Sequence, residues 1–438
     1  MSANPRETAT ERIAHAHAAV RHRLHGGGDW DHRRAAALQR LLARGLPDRR
    51  DENWKYLDWT EIDRRRLTLA PPPAVLPPVG ALAALSPGRT VMVVDGRFFP
   101  GDGPAALDGV EVLGLADAME RDPAWVAGAL RVPGDAADDR FALLAEAFTD
   151  DGLVIRVADG AAPAGSLNVL HVSSGSGASH TRVLVDAGRH SRLQLVEHFL
   201  GGGDEPGLSN LSCELRLAEG AGVDHLRLHG QGAGAAHIES VLATQARDSR
   251  YRQQLFMLGG RVLRSNIHVR LEGTDAECEL DGLFMVDGSR QADLYTVIEH
   301  VAGRTRSAER IRGVATDRGR GAFNGRILVG PGAAKADSSQ SSRNLILSPL
   351  AEINARPQLE ILTDDVKCSH GATTGSLDAN QLFYLLSRGI DAETARGLLT
   401  FAFCEDIVSR VTLPALRRHI EELVVGRLPD RDIIREFV

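Results

Sequence analysis

From Gly152 onward the chain is dominated by short runs in which apolar and polar residues alternate. LVIRV, LNVLHV, TRVLV, RLQLVEHF, CELRL, DHLRLH, NIHVRL, CELDGLF and ADLYTVIEH follow one another. Period-two alternation predicts β-strands, and small-residue breaks such as DAGRHS, AEGAG and EGTDAE separate many of the runs. No helical pattern of about 10–15 residues intervenes, so parallel strands joined by crossover helices are not expected. Two packings use so many short strands: a large sandwich, or a solenoid that coils them into stacked rungs. The glycine breaks at Gly188, Gly220 and Gly273 are each followed by another alternating pair: Leu193/Leu195, Leu226/Leu228 and Cys278/Leu280. That recurrence favours the solenoid, with irregular rungs because no strict short repeat is present.

Helical periodicity flanks this region on both sides. Ile13, His17, Val20 and Leu24 share one helical face, stopped by Gly26-Gly27-Gly28. A second helix is expected from Asp31, as N-cap, to Gly45, with Leu38, Leu41 and Leu42 inward. PPPAVLPP, residues 71–78, reads as a semi-rigid linker. TVMVVDGRFF reads as one strand, followed by an Ala-rich helical segment to about Phe148. After Gly375, Asp378 with Gln381 gives a capping-box-like start, and Leu382, Leu385 and Leu386 an apolar face. Asp391 opens the next helix, and Pro414 begins another that Gly426 ends. The expected organisation is a mostly helical region over 1–150, a β-helix core over 151–375 and a helical domain over 376–438.

Composition narrows the function. The formal charge of −7 over 438 residues, with no long basic stripe, argues against a nucleic-acid binder. No run of about 18 uncharged apolar residues could span a membrane, and MSANPRETATERIAHAHAAV lacks the apolar segment of a secretory signal. Four dispersed cysteines, Cys213, Cys278, Cys368 and Cys404, suit a reducing cytosol better than a disulfide framework. A cytoplasmic protein is expected. Of 51 basic residues only Lys55, Lys335 and Lys367 are lysines, a bias that marks those positions for attention.

Several chemistries lack their parts. There is no P-loop, no Gly-x-Ser-x-Gly elbow, no His-Glu-x-x-His and no Cys-x-x-Cys. The stretch DDVKCSHGAT stands out. In an extended segment Asp364, Cys368 and His370 share one side, with Asp365 and Lys367 on the other. A thiolate and an imidazole two residues apart both reach one iron or zinc ion, and two ligands leave that site incomplete. The alternative is a packed thiol beside a histidine bonded to backbone. His225 and His229 share a strand face with Arg227 and read as a solvated stripe. The N-terminal His15, His17, His22, His25 and His32 read as surface, and Cys213, Cys278 and Cys404 as core.

The segment from Phe323 to Phe403, containing GPGAAKADSSQSSRNLILSPLAEINARPQLEILTDDVKCSHGATTGSLDANQLFYLLSRGIDAETARG, resembles the C-terminal signature of the SUF iron–sulfur cluster assembly scaffold family, nearest its SufD branch. LVEHF, TVIEHVAGRTRSAERIRGVATDRGRGAFNG and ENWKYLDW are also similar to the family. The resemblance implies a mainly β fold, a right-handed parallel β-helix (solenoid) core with helical ends. It implies a non-catalytic scaffold subunit that joins a SufB-like paralogue through the C-terminal end of the β-helix. It further implies a SufC-like ATPase docked on the C-terminal helices, whose closure would rearrange the paired scaffolds. On that resemblance His370, with Cys368 beside it, contributes to a transient iron–sulfur cluster shared with the partner. Flavin is associated with such complexes, but no flavin site is legible, and a homodimer is an option for the isolated chain. Two rivals follow. One is a SufB-like chain that itself accepts sulfide and holds the nascent cluster. The other is a polysaccharide-active β-helix enzyme using Asp364 and Asp365, which the 5% aromatic content disfavours.

Overall fold

The computed structural model describes residues 8–435 apart from 64, 66, 72–81, 83–84, 102–106, 131–138, 176 and 202–206. All of PPPAVLPP except Pro71 therefore lies outside the described residues. From Gly152 the chain winds a parallel β-solenoid of about eight turns, so the solenoid is formed rather than the sandwich. Successive strands alternate between two sheets. One runs from Gly88–Val94 through every second strand to Lys367–Gly375, and the other from Val110–Gly114 to Glu352–Ile361.

Register shows why no strict repeat is visible. His225 pairs with Gln253, Gln253 with Leu280, Leu280 with Glu309, Glu309 with Gln340, and Gln340 with His370. The strands keep nearly the same length while the corners between them do not. The glycine breaks fall at these corners. Gly220 takes φ +69°, a conformation that side chains resist. At Gly273 a Cβ would lie 1.9 Å from the Arg247 nitrogen, because consecutive corners stack backbone on backbone. Gly273→Ala is expected to destabilise the fold by about 1–3 kcal/mol. Chemical denaturation checks this, and an unchanged midpoint would mean the corner relaxes freely.

Each sheet has its outer face covered by helices. Helices Ala9–Val20, Asp29–Arg44 and Arg140–Phe148 pack Ile13, Leu41 and Phe148 against Ala178, Leu208, Ile238 and Val262 of the second sheet. Trp54 and Trp59 of the ENWKYLDW stretch lie 5.3 and 6.3 Å from Phe141 in the same layer. Helices Ala392–Val408 and Pro414–Val425 cover the first sheet, burying Cys404, Ile407, Leu416 and Ile420 against Leu226, Leu228, Phe256 and Met285.

Local expectations are mostly met, with instructive exceptions. The second helix begins at Asp29 rather than after Asp31, capped by Gly28. TVMVVDGRFF is a hairpin, turning at Asp95 and Gly96. His17 is buried, its ring edge-on to Phe148 at 5.3 Å, so it belongs to the core and not to a solvated surface. Helix Ala379–Ser387 forms with Asp378 accepting from the Asn380 and Gln381 amides, yet buries none of its residues. Its apolar face is presented to solvent.

The two ends of the solenoid differ. At the first turn, antiparallel pairing of Arg97–Phe99 and of Val110–Gly114 ends both sheets. At the last turn no described strand follows Glu352–Ile361 or Lys367–Gly375, and an open parallel edge is a ready template for another chain.

Candidate functional site at the open end of the solenoid

Strand Lys367–Gly375 pairs on one side only, setting Cys368 against Ser338 and His370 against Gln340. Ser338 and Gln340 are buried while Ser339 between them is exposed. Alternation therefore places Cys368 and His370 together on the interior side of the last turn. Cys368 is half-buried and, like Leu359 and Val366, packs against the cluster of Ile327, Val329, Ala333 and Ala336. Burial raises its thiol above the ordinary range, and the Asp337 charge adds to this against an opposing Ser338 backbone contact. His370 is exposed, and no described strand pairs beyond its own.

The acidic pair does not join them. Asp364 and Asp365 lie in the turn before the strand, both exposed, so the expected common face of Asp364, Cys368 and His370 is not formed. The Asp365 carbonyl instead accepts the backbone amide of Lys335, which holds the left-handed region at φ +64°. Lys335 and Lys367 are both exposed at this end.

Beneath His370 the interior is polar. Gln340 donates to the Glu309 carboxyl at 2.6 Å, and burial pushes that carboxyl up to about 7. A carboxyl raised in the folded state and ordinary when unfolded favours folding at low pH. That contribution is lost as pH climbs from about 4.5 to about 7. Glu309→Gln is therefore expected to match the parent near pH 4.5 and to exceed its stability above pH 7, by on the order of 3 kcal/mol. Urea denaturation at the two pH values checks it. A difference that does not vary with pH would show that Glu309 is not held protonated.

Further along the interior lies a cluster that sequence reading misplaced. His225, Arg227 and His229 are not a solvated stripe: each is at most 1% exposed. Glu197 accepts from His171 at 2.7 Å and His225 at 2.6 Å. Arg227 stands between Glu197, at 3.3 Å, and Glu239, at 2.8 Å. Glu239 also faces His237 at 3.0 Å and His229 at 3.5 Å. Burial alone would raise both carboxyls, but Arg227 and the histidines outweigh it and hold them well below the usual range. Burial drives His237 down to about 4. Alternation correctly groups His225, Arg227 and His229 but cannot say which face meets solvent. Here Leu226 and Leu228 face the covering helices, so the polar face is left to the interior.

Comparison with known proteins resolves the lineage. The sequence model of the SUF system FeS cluster assembly SufBD core domain matches residues 170–403, more than half of the chain. The chain belongs to the SufBD family. It is 30% identical to the iron–sulfur cluster assembly protein SufD of Escherichia coli, over 90% of this chain and 92% of that protein. It is 33% identical to protein ABCI7 of Arabidopsis thaliana chloroplasts, over 57% of this chain and 53% of that one. With the SufBD family protein slr0076 of Synechocystis the identity is 32%, over 51% and 49%. Within SufBD the chain is thus SufD-like, in a system that assembles iron–sulfur clusters. The matched span takes in both the interior cluster and the open turn with Cys368 and His370. No helix among the described residues is long and apolar enough to cross a membrane.

Proposed function

We propose that this chain is a non-catalytic scaffold subunit that offers His370, with Cys368 beside it, to a cluster-assembly site completed by a second SufB-like chain. One observation carries the reading: no described strand covers the last turn, which presents His370 on its interior side, where a partner's terminal turn would meet it. One imidazole and one half-buried thiol do not fill the coordination sphere of iron, so the remaining ligands belong to the partner. The iron–sulfur cluster is cargo passing through this interface.

Helix Ala379–Ser387, with Phe383 71% exposed and Tyr384 56% exposed, follows the last strand directly and extends the sticky end. The C-terminal helices that clamp the first sheet are the handle by which a SufC-like ATPase would move this subunit against its partner. ATP hydrolysis belongs to that ATPase, and the assembly works in the cytoplasm. Alone, the open turn would pair with its own copy. The SufB-like rival, in which this chain itself accepts sulfide, requires a reactive Cys368. A thiol raised by burial and by Asp337 is a poor candidate.

Tagging the chain in its own host and isolating it without oxygen tests the proposal. Recovery with a second β-helix subunit and an ATPase is expected. A chain recovered alone would contradict it.

A further inference from the structure

We propose that His229, His237 and Glu239 form a binding site, inside the solenoid and remote from the open end in sequence, for one divalent first-row transition-metal ion. His229 ends strand Gly222–His229, the chain turns a corner, and His237 and Glu239 stand two apart on strand Ala236–Gln245. All three side chains therefore converge on the interior of a single corner. One donor atom from each lies within 4.8 Å of the others. His237 Nε2 is 3.0 Å from Glu239 Oε2, and His229 Nε2 is 3.5 Å from Glu239 Oε1. Metal–nitrogen and metal–oxygen bonds of about 2.0–2.2 Å give a tetrahedral ligand–ligand edge of about 3.3 Å. The two separations, one to each oxygen of the Glu239 carboxylate, bracket that edge. Two imidazoles and one carboxylate form a donor set that holds zinc or iron with a further position open.

The surroundings serve a ligand set as well. Phe199 stacks on the His229 ring at 4.3 Å with 8° between the planes, fixing its orientation. The Gln231 amide lies 3.5 Å from His229 Nδ1. With its oxygen turned there it would accept the Nδ1 proton and leave the Nε2 lone pair facing Glu239. Ser265 Oγ donates to Glu239 Oε1 at 2.6 Å. His229 Nε2 is buried and makes no hydrogen bond, which is costly unless something else satisfies it. Charge points the same way: two buried carboxylates, Glu197 and Glu239, share the one guanidinium of Arg227.

The test uses the untagged full chain carrying Cys368→Ser and His370→Ala, which removes the soft ligands at the open end. Because the site is enclosed, Co2+ is supplied during expression, loosely held metal is stripped by a chelating resin, and bound cobalt is counted. About one ion per chain is expected, with the intense visible bands of a tetrahedral centre. His229→Gln and His237→Gln should each lower retention about tenfold or more, with circular dichroism confirming the fold. Should either variant not fold, X-ray absorption on the cobalt-loaded parent must show imidazole ligation. A cobalt-free parent, retention unchanged in the folded variants, or a cobalt spectrum without imidazole would each overturn the proposal and leave a buried ion-pair network.

Discussion

His370→Ala is expected to leave the multi-subunit complex intact while lowering its rate of iron–sulfur cluster formation about tenfold or more. The side chain is exposed on the last turn and supports none of the interior packing, so its loss should cost the fold little. Loss of even an outer-shell partner at a metal site costs about 10–100-fold in affinity or activity, and loss of a ligand should cost no less. Cys368→Ser should do less, since that thiol is half-buried and raised above the ordinary range by its surroundings. Reconstitution without oxygen, followed by cluster absorbance and by complex recovery on gel filtration, separates assembly from chemistry. Full activity in His370→Ala would remove the residue from the site. Loss of the complex itself would make it a docking residue instead.

Arg227→Met is expected to be the most damaging change in the solenoid, costing about 3–5 kcal/mol of folding stability. The guanidinium is fully buried between Glu197 and Glu239 and above the Phe199 ring at 5.1 Å. Removing it leaves two enclosed carboxylates without their cation, which costs far more than the ion pairs themselves contribute. The triple replacement Glu197→Gln, Arg227→Met and Glu239→Gln should therefore recover most of the loss, because no member of this cluster then carries an unpaired charge. The sign of the pH dependence follows from the depressed carboxyls. Their contribution is present above about pH 4.5 and drains away as pH falls through the folded-state values. Urea denaturation of parent, single and triple variants gives the comparison. A single variant within about 1 kcal/mol of the parent would mean that water enters the interior and screens these charges.

Much of this architecture was readable in the alternation of the strands. Leu193 with Leu195, and Cys278 with Leu280, do face the interior, and the glycine breaks are the corners. The helices announced themselves through their caps, as at Asp378 and Asp391. What alternation could not supply was the identity of the inner face. Under the covering helices apolar residues point outward as well as inward: Phe256 and Met285 meet the helices while Leu255 and Phe284 face the interior. On strand Gly222–His229 the helices take Leu226 and Leu228, and the charged residues turn inward after Val223. That choice of face depends on tertiary contacts with residues near the C-terminus, far away in sequence. The candidate site was legible to a different degree. Cys368 and His370 do share a side, but Asp364, which alternation would place on the same strand, lies in the preceding turn. The adjacent-aspartate pattern carried no signal of where extension begins.

The most direct measurement of the central claim uses the scarcity of lysine. Lys335 and Lys367 are two of the chain's three lysines and both lie exposed at the open end; the third, Lys55, is 3.6 Å from Glu52, which itself pairs with Arg356 of strand Glu352–Ile361 at 2.6 Å. Amine-directed cross-linking of the anaerobically isolated assembly, read by mass spectrometry, therefore samples this end almost selectively. If the last turn is the partner interface, Lys335 or Lys367 will be joined to the terminal turns of a second β-helix subunit. If that subunit co-purifies but none of the three lysines is joined to it, the open end is not where the two scaffolds meet and His370 is not part of a shared site.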